Sequence, residues 1–198
     1  MKEIILLKIS LNGSVPLIWR ELAVKSCISF AELHHTIQLS MPWANYHLFE
    51  FNSEGYRIGY VFDDEIEDGF NTKNLLDADT TLLSDILSDV GETLLYKYDM
   101  GDNWEHTIEL KAFTDADPSI QYPFCLDGAM ACPPDDCLGI HHFNYILDIL
   151  NDKSHPEYKS IRTYLPKNYN PALFDIRMTN KKLKGIKSYI ANWRKKNL

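Results

Sequence analysis

The stretch 93-TLLYKYDMGDNWEHTIELK-111 decides the fold. Leu94, Tyr96 and Tyr98 alternate with Leu95, Lys97 and Asp99. After a short polar interval, Trp104, His106, Ile108 and Leu110 alternate with Glu105, Thr107, Glu109 and Lys111. A period of two sends successive side chains to opposite faces of a strand, so both halves read as half-buried strands. Met100-Gly101-Asp102-Asn103 is turn chemistry: Gly101 is free to take a positive φ, and Asp102 and Asn103 suit turn positions. The expectation is a hairpin that buries Tyr96, Trp104 and Ile108.

Working outward, residues 4–11 form an apolar strand, Asn12-Gly13-Ser14 a turn, and residues 18–24 the returning strand. Ser29 and Glu32 have the spacing of a capping box, which opens a helix with Phe30, Leu33 and Ile37 on one face and Pro42 at its end. Residues 47–51 and 56–62 read as another strand pair. The acidic run 63–68 reads as a solvated face, and residues 81–87 as a short helix. Residues 115–139 hold three cysteines and four prolines and read as an ordered loop. Three helices follow: 140–151, one from Pro156 to before Pro166, and one from Thr179 with Leu183, Ile186, Ile190 and Trp193 on one face. This order predicts an α+β protein: a β-grasp-like mixed sheet with one helix packed across it, plus a C-terminal helical segment. We read one domain over 1–198, comprising a β-rich α+β core (1–112), a Cys/Pro loop (113–139) and the helical segment (140–198).

The net charge of −8 is unevenly spread. Residues 1–152 carry 8 Lys and Arg against 26 Asp and Glu, a balance of −18, whereas 153–198 carry +10. The basic part reads as a helical segment docked on an acidic body before it reads as a nucleic-acid tail. No apolar run is long enough to span a membrane, and the opening MKEIILLKIS lacks the pattern of a signal peptide. The expected location is the cytoplasm, with the four cysteines as thiols or metal ligands.

Three groups of residues could carry chemistry. Asp99, Asp102, Glu105 and His106 surround one turn and could hold a divalent cation or act as acid and base. The same residues are also explained by turn hydrogen bonds and a histidine packed in the core. Cys125, Cys132 and Cys137, followed by His141 and His142, are ligand types that zinc takes, although the paired Cys-x-x-Cys knuckle is missing. Cys27 reads as a core residue. A ligand cleft is expected between the hairpin and the Cys loop, with Trp43, His47 and Trp104 as its binding residues. No glycine-rich phosphate loop is present.

Three further stretches carry a resemblance. These are VPLIWREL (15–22) with SFAELHHTIQLSMPWANYHLFEF (29–51), YKYDMGDNWEHTIEL (96–110), and YPFCLDGAMACPPDDCLG (122–139). Together and in this order they resemble the plasmid pRi ORF-3-like family, whose most recognisable motif is a Tyr-Asp-x-Gly-Asp-x-Trp-x-His hairpin. The chain departs from the pattern at Leu138-Gly139, where relatives usually read Gly-Gly. The resemblance implies an uncharacterised protein associated with plasmids and mobile elements, sometimes labelled resolvase-like. The arginines do not fit that label. Arg20, Arg57, Arg162, Arg177 and Arg194 are scattered and none stands beside a nucleophile, whereas a recombinase gathers arginines around the scissile phosphate. The reading is a cytosolic binding or accessory module, with a protein or small ligand as partner before nucleic acid, and no membrane. The alternative is a metal-dependent hydrolase using Asp99, Asp102 and His106.

Overall fold

The computed structural model describes residues 3–60 and 74–197. The acidic run 63–68 and the end of the expected strand 56–62 lie outside the described residues. The strands are β1 (Ile4–Leu11), β2 (Trp19–Lys25), β3 (Phe49–Ser53), β4 (Tyr56–Gly59), β5 (Leu75–Asp77), β6 (Thr93–Tyr98), β7 (Trp104–Thr114) and β8 (Phe124–Ala129). The helices among the described residues are α1 (Phe30–Ser40), α2 (Leu83–Ile86), α3 (Gly139–Asn151), α4 (Tyr158–Tyr164), α5 (Ile176–Lys184) and α6 (Ile186–Asn197). The strands form one sheet in the order β5-β4-β3-β6-β7-β1-β2-β8, antiparallel except for the β4–β5 pair. The architecture is mixed α+β, with one helix across the sheet and helices at the C-terminal end.

The two-residue period of the hairpin runs through the whole sheet. Ile108 lies opposite both Leu94 and Ile9, His106 opposite Tyr96 and Leu11, and Tyr96 opposite Phe51. One face therefore collects Leu7, Ile9, Leu11, Phe51, Tyr96, Trp104 and Ile108, all at most 1% exposed. The alternate positions carry Lys97, Glu105, Thr107 and Glu109, with Lys97 and Glu105 paired across the strands at 3.0 Å. Such a sheet is stabilised mainly by burial of its apolar face, each large side chain contributing about 1.5–3 kcal/mol.

Helix α1 is capped as the sequence requires: the Ser29 hydroxyl accepts from the Glu32 amide, and the Glu32 carboxylate accepts from the Ser29 amide. It lies on the buried face and is itself enclosed, because α5 and α6 cover its other side with Leu183, Ile186 and Trp193. A helix with no solvent face must satisfy its polar side chains internally. His34 does so with Tyr96 and Asn45 (2.8 and 2.7 Å); the Gln38 amide nitrogen donates to the Tyr96 hydroxyl (3.0 Å), while its Oε1 has no partner among the described residues.

Four local readings change. The Cys/Pro loop contains a strand: β8 pairs with β2 through Leu22 and Cys125. Its sequence FCLDGA has no alternation to announce it. It is held at the sheet edge by Asn180, whose side-chain oxygen accepts from the Cys125 amide (2.8 Å) while its nitrogen donates to the Cys125 carbonyl (2.9 Å). The last helix begins at Ile176, capped by Asp175, and is divided at Gly185. Cys27 is exposed rather than buried, because it sits in the turn before α1. In the hairpin turn the positive φ falls at Asp99 (58°) and Asn103 (53°), not at Gly101. Asp and Asn tolerate this region because their short side chains bond the local backbone.

Candidate functional site

The chain leaves α1 through Met41 and Pro42 and enters a loop whose residues are pinned one by one to the segment 133–137. The Trp43 indole N–H donates to the Pro133 carbonyl (3.0 Å), the Ala44 amide to Asp135 Oδ2 (3.0 Å), and the Tyr46 hydroxyl to Asp136 Oδ2 (2.9 Å). Trp43 itself is buried, stacked beside Tyr98 and Trp104 and edge-on to His106. The hairpin turn closes the third side: the Asp99 amide donates to the Leu48 carbonyl (2.9 Å). Gly139 fits tightly against this turn, since a Cβ there would lie 2.7 Å from the Asp102 carbonyl oxygen. Its neighbour Leu138 holds φ 64°, a left-handed conformation that glycine adopts with less strain.

His47, Asp99 and Asp136 meet where these three segments converge. Nε2 of His47 lies 3.4 Å from Asp99 Oδ2 and 3.4 Å from Asp136 Oδ1. Asp99 is 7% exposed, and its other oxygen accepts the amides of Gly101 (2.9 Å) and Asp102 (3.3 Å). Asp135 stands alongside. Burial pushes its carboxyl above the usual range; the Ala44 amide opposes this, and the charges of Asp136 and Asp99 add to it. The Tyr98 hydroxyl, fully buried, is raised by the same burial and by the charge of Asp135. Among the described residues, six buried side-chain polar atoms lack a hydrogen-bond partner, and four cluster here: His47 Nε2, the Tyr98 hydroxyl, Asp102 Oδ2 and Asp135 Oδ1. Since buried polar atoms in folded proteins are nearly all paired with protein or ordered water, this concentration leaves room for a ligand or water to complete the pairing.

The rim is apolar. Tyr46, Met100, Leu138 and Tyr164 are all roughly half exposed or more, and the Tyr164 hydroxyl donates to the Asp136 carbonyl. His47 also lines an adjoining pocket of about 190 Å³ with Phe49, Tyr60 and Trp193.

The residues singled out from sequence separate into two groups. Asp99, Asp102 and His47 reach the cleft. His106 does not: it is fully buried, donates from Nδ1 to the Trp104 carbonyl (3.1 Å), packs against Trp43 and Tyr96, and is pulled down by burial to about 4. Trp43 and Trp104 hold the cleft from beneath without opening onto it. The cysteines do not gather with His141. Cys125 lies by the Asp127 carbonyl, Cys132 between Met41 and the Arg20 guanidinium, and Cys137 near Asp102 and Asp135. Burial pushes their thiols up to about 11, 11 and 12. Asp136 was missed. Its signal was the pair Asp135-Asp136 directly after Pro133-Pro134, acidic residues on a stiffened segment, and each of the three resembling stretches supplies one member of the His47, Asp99, Asp136 group.

Comparison with known proteins gives the setting. The sequence profile of the plasmid pRiA4b ORF-3-like protein family matches residues 3–178. The chain is 28% identical over 196 residues to the uncharacterized protein y4hQ of Sinorhizobium fredii (strain NBRC 101917 / NGR234), covering 98% of this chain and 96% of that protein. It is also similar to the crystal structure of MM3350, a protein of unknown function from Methanosarcina mazei Go1. That match has a TM-score of 0.79 and 30% identity, over 88% of this chain and 96% of the other. No helix among the described residues is long and apolar enough to cross a membrane.

Proposed function

Since the chain belongs to the plasmid pRiA4b ORF-3-like protein family, and the similar proteins named above carry no assigned function, we propose from the geometry that it is a binding module. Its contact surface is the cleft between residues 43–48, the hairpin turn and residues 133–138. One observation carries this reading: a rim of exposed Tyr46, Met100, Leu138 and Tyr164 surrounds a centre of buried polar atoms without partners. Exposed apolar side chains around a polar centre are what a recognition surface presents. The occupant covers the rim with apolar groups and meets the centre with a polar one. A partner protein segment fits this description, and the four free cysteines support a cytoplasmic location for the module. Nucleic acid fits poorly, because Asp99, Asp135 and Asp136 would face the phosphates.

A hydrolase built on Asp99, Asp102 and His106 is disfavoured by the burial of His106, since a general base must lie within hydrogen-bond reach of its substrate.

Photo-crosslinking tests the reading. A crosslinking phenylalanine analogue at Leu138 or at Tyr46 should trap the same partner in native cells. The analogue at Val90, exposed at the opposite end of β6, should trap none. Equal trapping from Val90, or none from Leu138 and Tyr46, would reject the surface. Turnover of nitrophenyl phosphate or carboxylate esters that His106→Gln abolishes would restore the hydrolase.

A further inference from the structure

We propose that His47, Asp99 and Asp136 bind a divalent first-row transition cation, of which Zn²⁺ is the strongest-binding probe used here; this deepens, and rests on, the reading of the cleft as a binding site.

The distances are those of ligands rather than of hydrogen bonds. A charge-assisted bond between an imidazole and a carboxylate closes to about 2.7–2.9 Å. His47 Nε2 stands 3.4 Å from both carboxylates and bonds to neither. Two atoms sharing an ion at about 2.1 Å lie about 3.0 Å apart in octahedral geometry and about 3.4 Å apart in tetrahedral geometry. The three ligand atoms all lie within 4.8 Å of one another, and no other group of three such side chains does so among the described residues.

A second, independent observation points the same way. Tyr98 is fully buried, its ring is 5.8 Å from that of His47, and no side chain among the described residues offers its O–H an acceptor. The hydroxyl oxygen faces the backbone N–H groups of Tyr46 and His47, which leaves the O–H itself to be satisfied. A donor enclosed in this way meets a ligand that the side chains alone do not supply.

The surroundings also orient the ligands as metal sites do. Asp99 spends Oδ1 on the Gly101 and Asp102 amides, which turns Oδ2 toward His47. Asp136 spends Oδ2 on the Tyr46 hydroxyl, which leaves Oδ1. One imidazole and two carboxylates neutralise a 2+ charge. The imidazole favours Zn²⁺ over Mn²⁺, Mg²⁺ and Ca²⁺, which prefer oxygen-rich shells. Three protein ligands leave at least one position for a group from the partner or for water.

Calorimetric titration of Zn²⁺ into the EDTA-stripped full-length chain carrying Cys27→Ser, which removes the exposed thiol, tests this. One Zn²⁺ per chain is expected, with Mn²⁺ weaker and Mg²⁺ giving no heat at the same concentration. His47→Ala and Asp136→Asn should each weaken Zn²⁺ by at least about tenfold, while their melting temperatures in EDTA stay at the parent value and lose the rise that Zn²⁺ gives the parent. No binding, unchanged affinity in both variants, or loss on Cys132→Ser instead would overturn the site. The cross-link from position 138 separates the two readings. If it persists while Zn²⁺ fails to bind, the metal is rejected and the surface stands. If Zn²⁺ binds without any cross-link, the surface is rejected and the metal stands.

Discussion

Arg20 and His47 are both cationic or ionisable side chains placed between backbone segments, and the protein treats them in opposite ways. Arg20 is 1% exposed and has no carboxylate partner among the described residues. All five of its N–H groups nevertheless find acceptors: the carbonyls of Ser40, Trp19, Ala129 and Met130 and the Cys132 sulfur, at 2.7–3.2 Å. Ser40 lies in the last turn of α1, where the helix dipole is negative, and the Phe174 ring sits 4.0 Å from the guanidinium carbon. Gly128 makes room for this packing, since a Cβ there would meet Phe174 at 2.6 Å. The His34–Asn45–His35 network is equally complete. Asn45 accepts from His34 Nε2 and donates to His35 Nδ1 (3.0 Å) and to the Tyr189 hydroxyl (3.0 Å), which leaves both rings neutral. At His47 and its neighbours four polar atoms are left over. Where polar burial is completed it holds the fold together; where it is left incomplete, it is available for a ligand.

The largest effect that could break this contrast is acid. Burial pulls His35 and His106 down to about 4 and holds His34 well below its ordinary value. The unfolded chain takes up these protons near pH 6.5; the folded chain takes them up near 4 at His35 and His106, and well below 6.5 at His34. Stability is therefore full above pH 6.5 and falls as the pH drops toward 4, by up to about 1.4 kcal/mol per pH unit for each histidine kept neutral. Urea melts at pH 7, 6 and 5 should show this loss. A flat profile would mean that the network is not held neutral.

Next comes the guanidinium. Arg20→Leu strands four carbonyls and should cost about 3–5 kcal/mol. Arg20→Lys keeps the charge but not the five-donor fork, and should still cost about 2 kcal/mol or more. A loss below about 1 kcal/mol in denaturant melts of either variant would erase the distinction between the two regions.

The cleft should respond weakly or in the opposite direction. Leu138→Gly relieves the left-handed strain at an exposed position and should raise stability by about 1 kcal/mol in the same melts. Smallest of all, Asp136→Asn should change stability by less than about 0.5 kcal/mol, because its carboxylate serves no structural bond beyond Tyr46. A cost like that of Arg20→Leu would show that the cleft is structural after all.

How much of this was legible depends on range along the chain. The hairpin and the Ser29–Glu32 cap are written in neighbouring residues, and the alternation of Tyr96, Trp104 and Ile108 already specifies which face is buried. Strand β8 was not legible, because Phe124–Ala129 lacks a periodic pattern and owes its conformation to β2 and Asn180. The turn was legible as a turn, but not as one that aims Asp99 at His47. The cleft depends on contacts such as Trp43 to Pro133 and Tyr46 to Asp136, 90 residues apart, which only the folded sheet brings together. Arg20 gave no signal either, since a guanidinium satisfied by carbonyls needs no acidic partner in the sequence.

The amide of Asn180 has a consequence for how molecules of this protein meet one another. An outermost strand ordinarily offers its free N–H and C=O groups as a template for a strand from another copy. At Cys125 both groups are already occupied by one side chain that imitates the next rung of a ladder. An incoming chain finds no pairing at the middle of this border, so this edge of the sheet is protected at that rung from growing into a fibre.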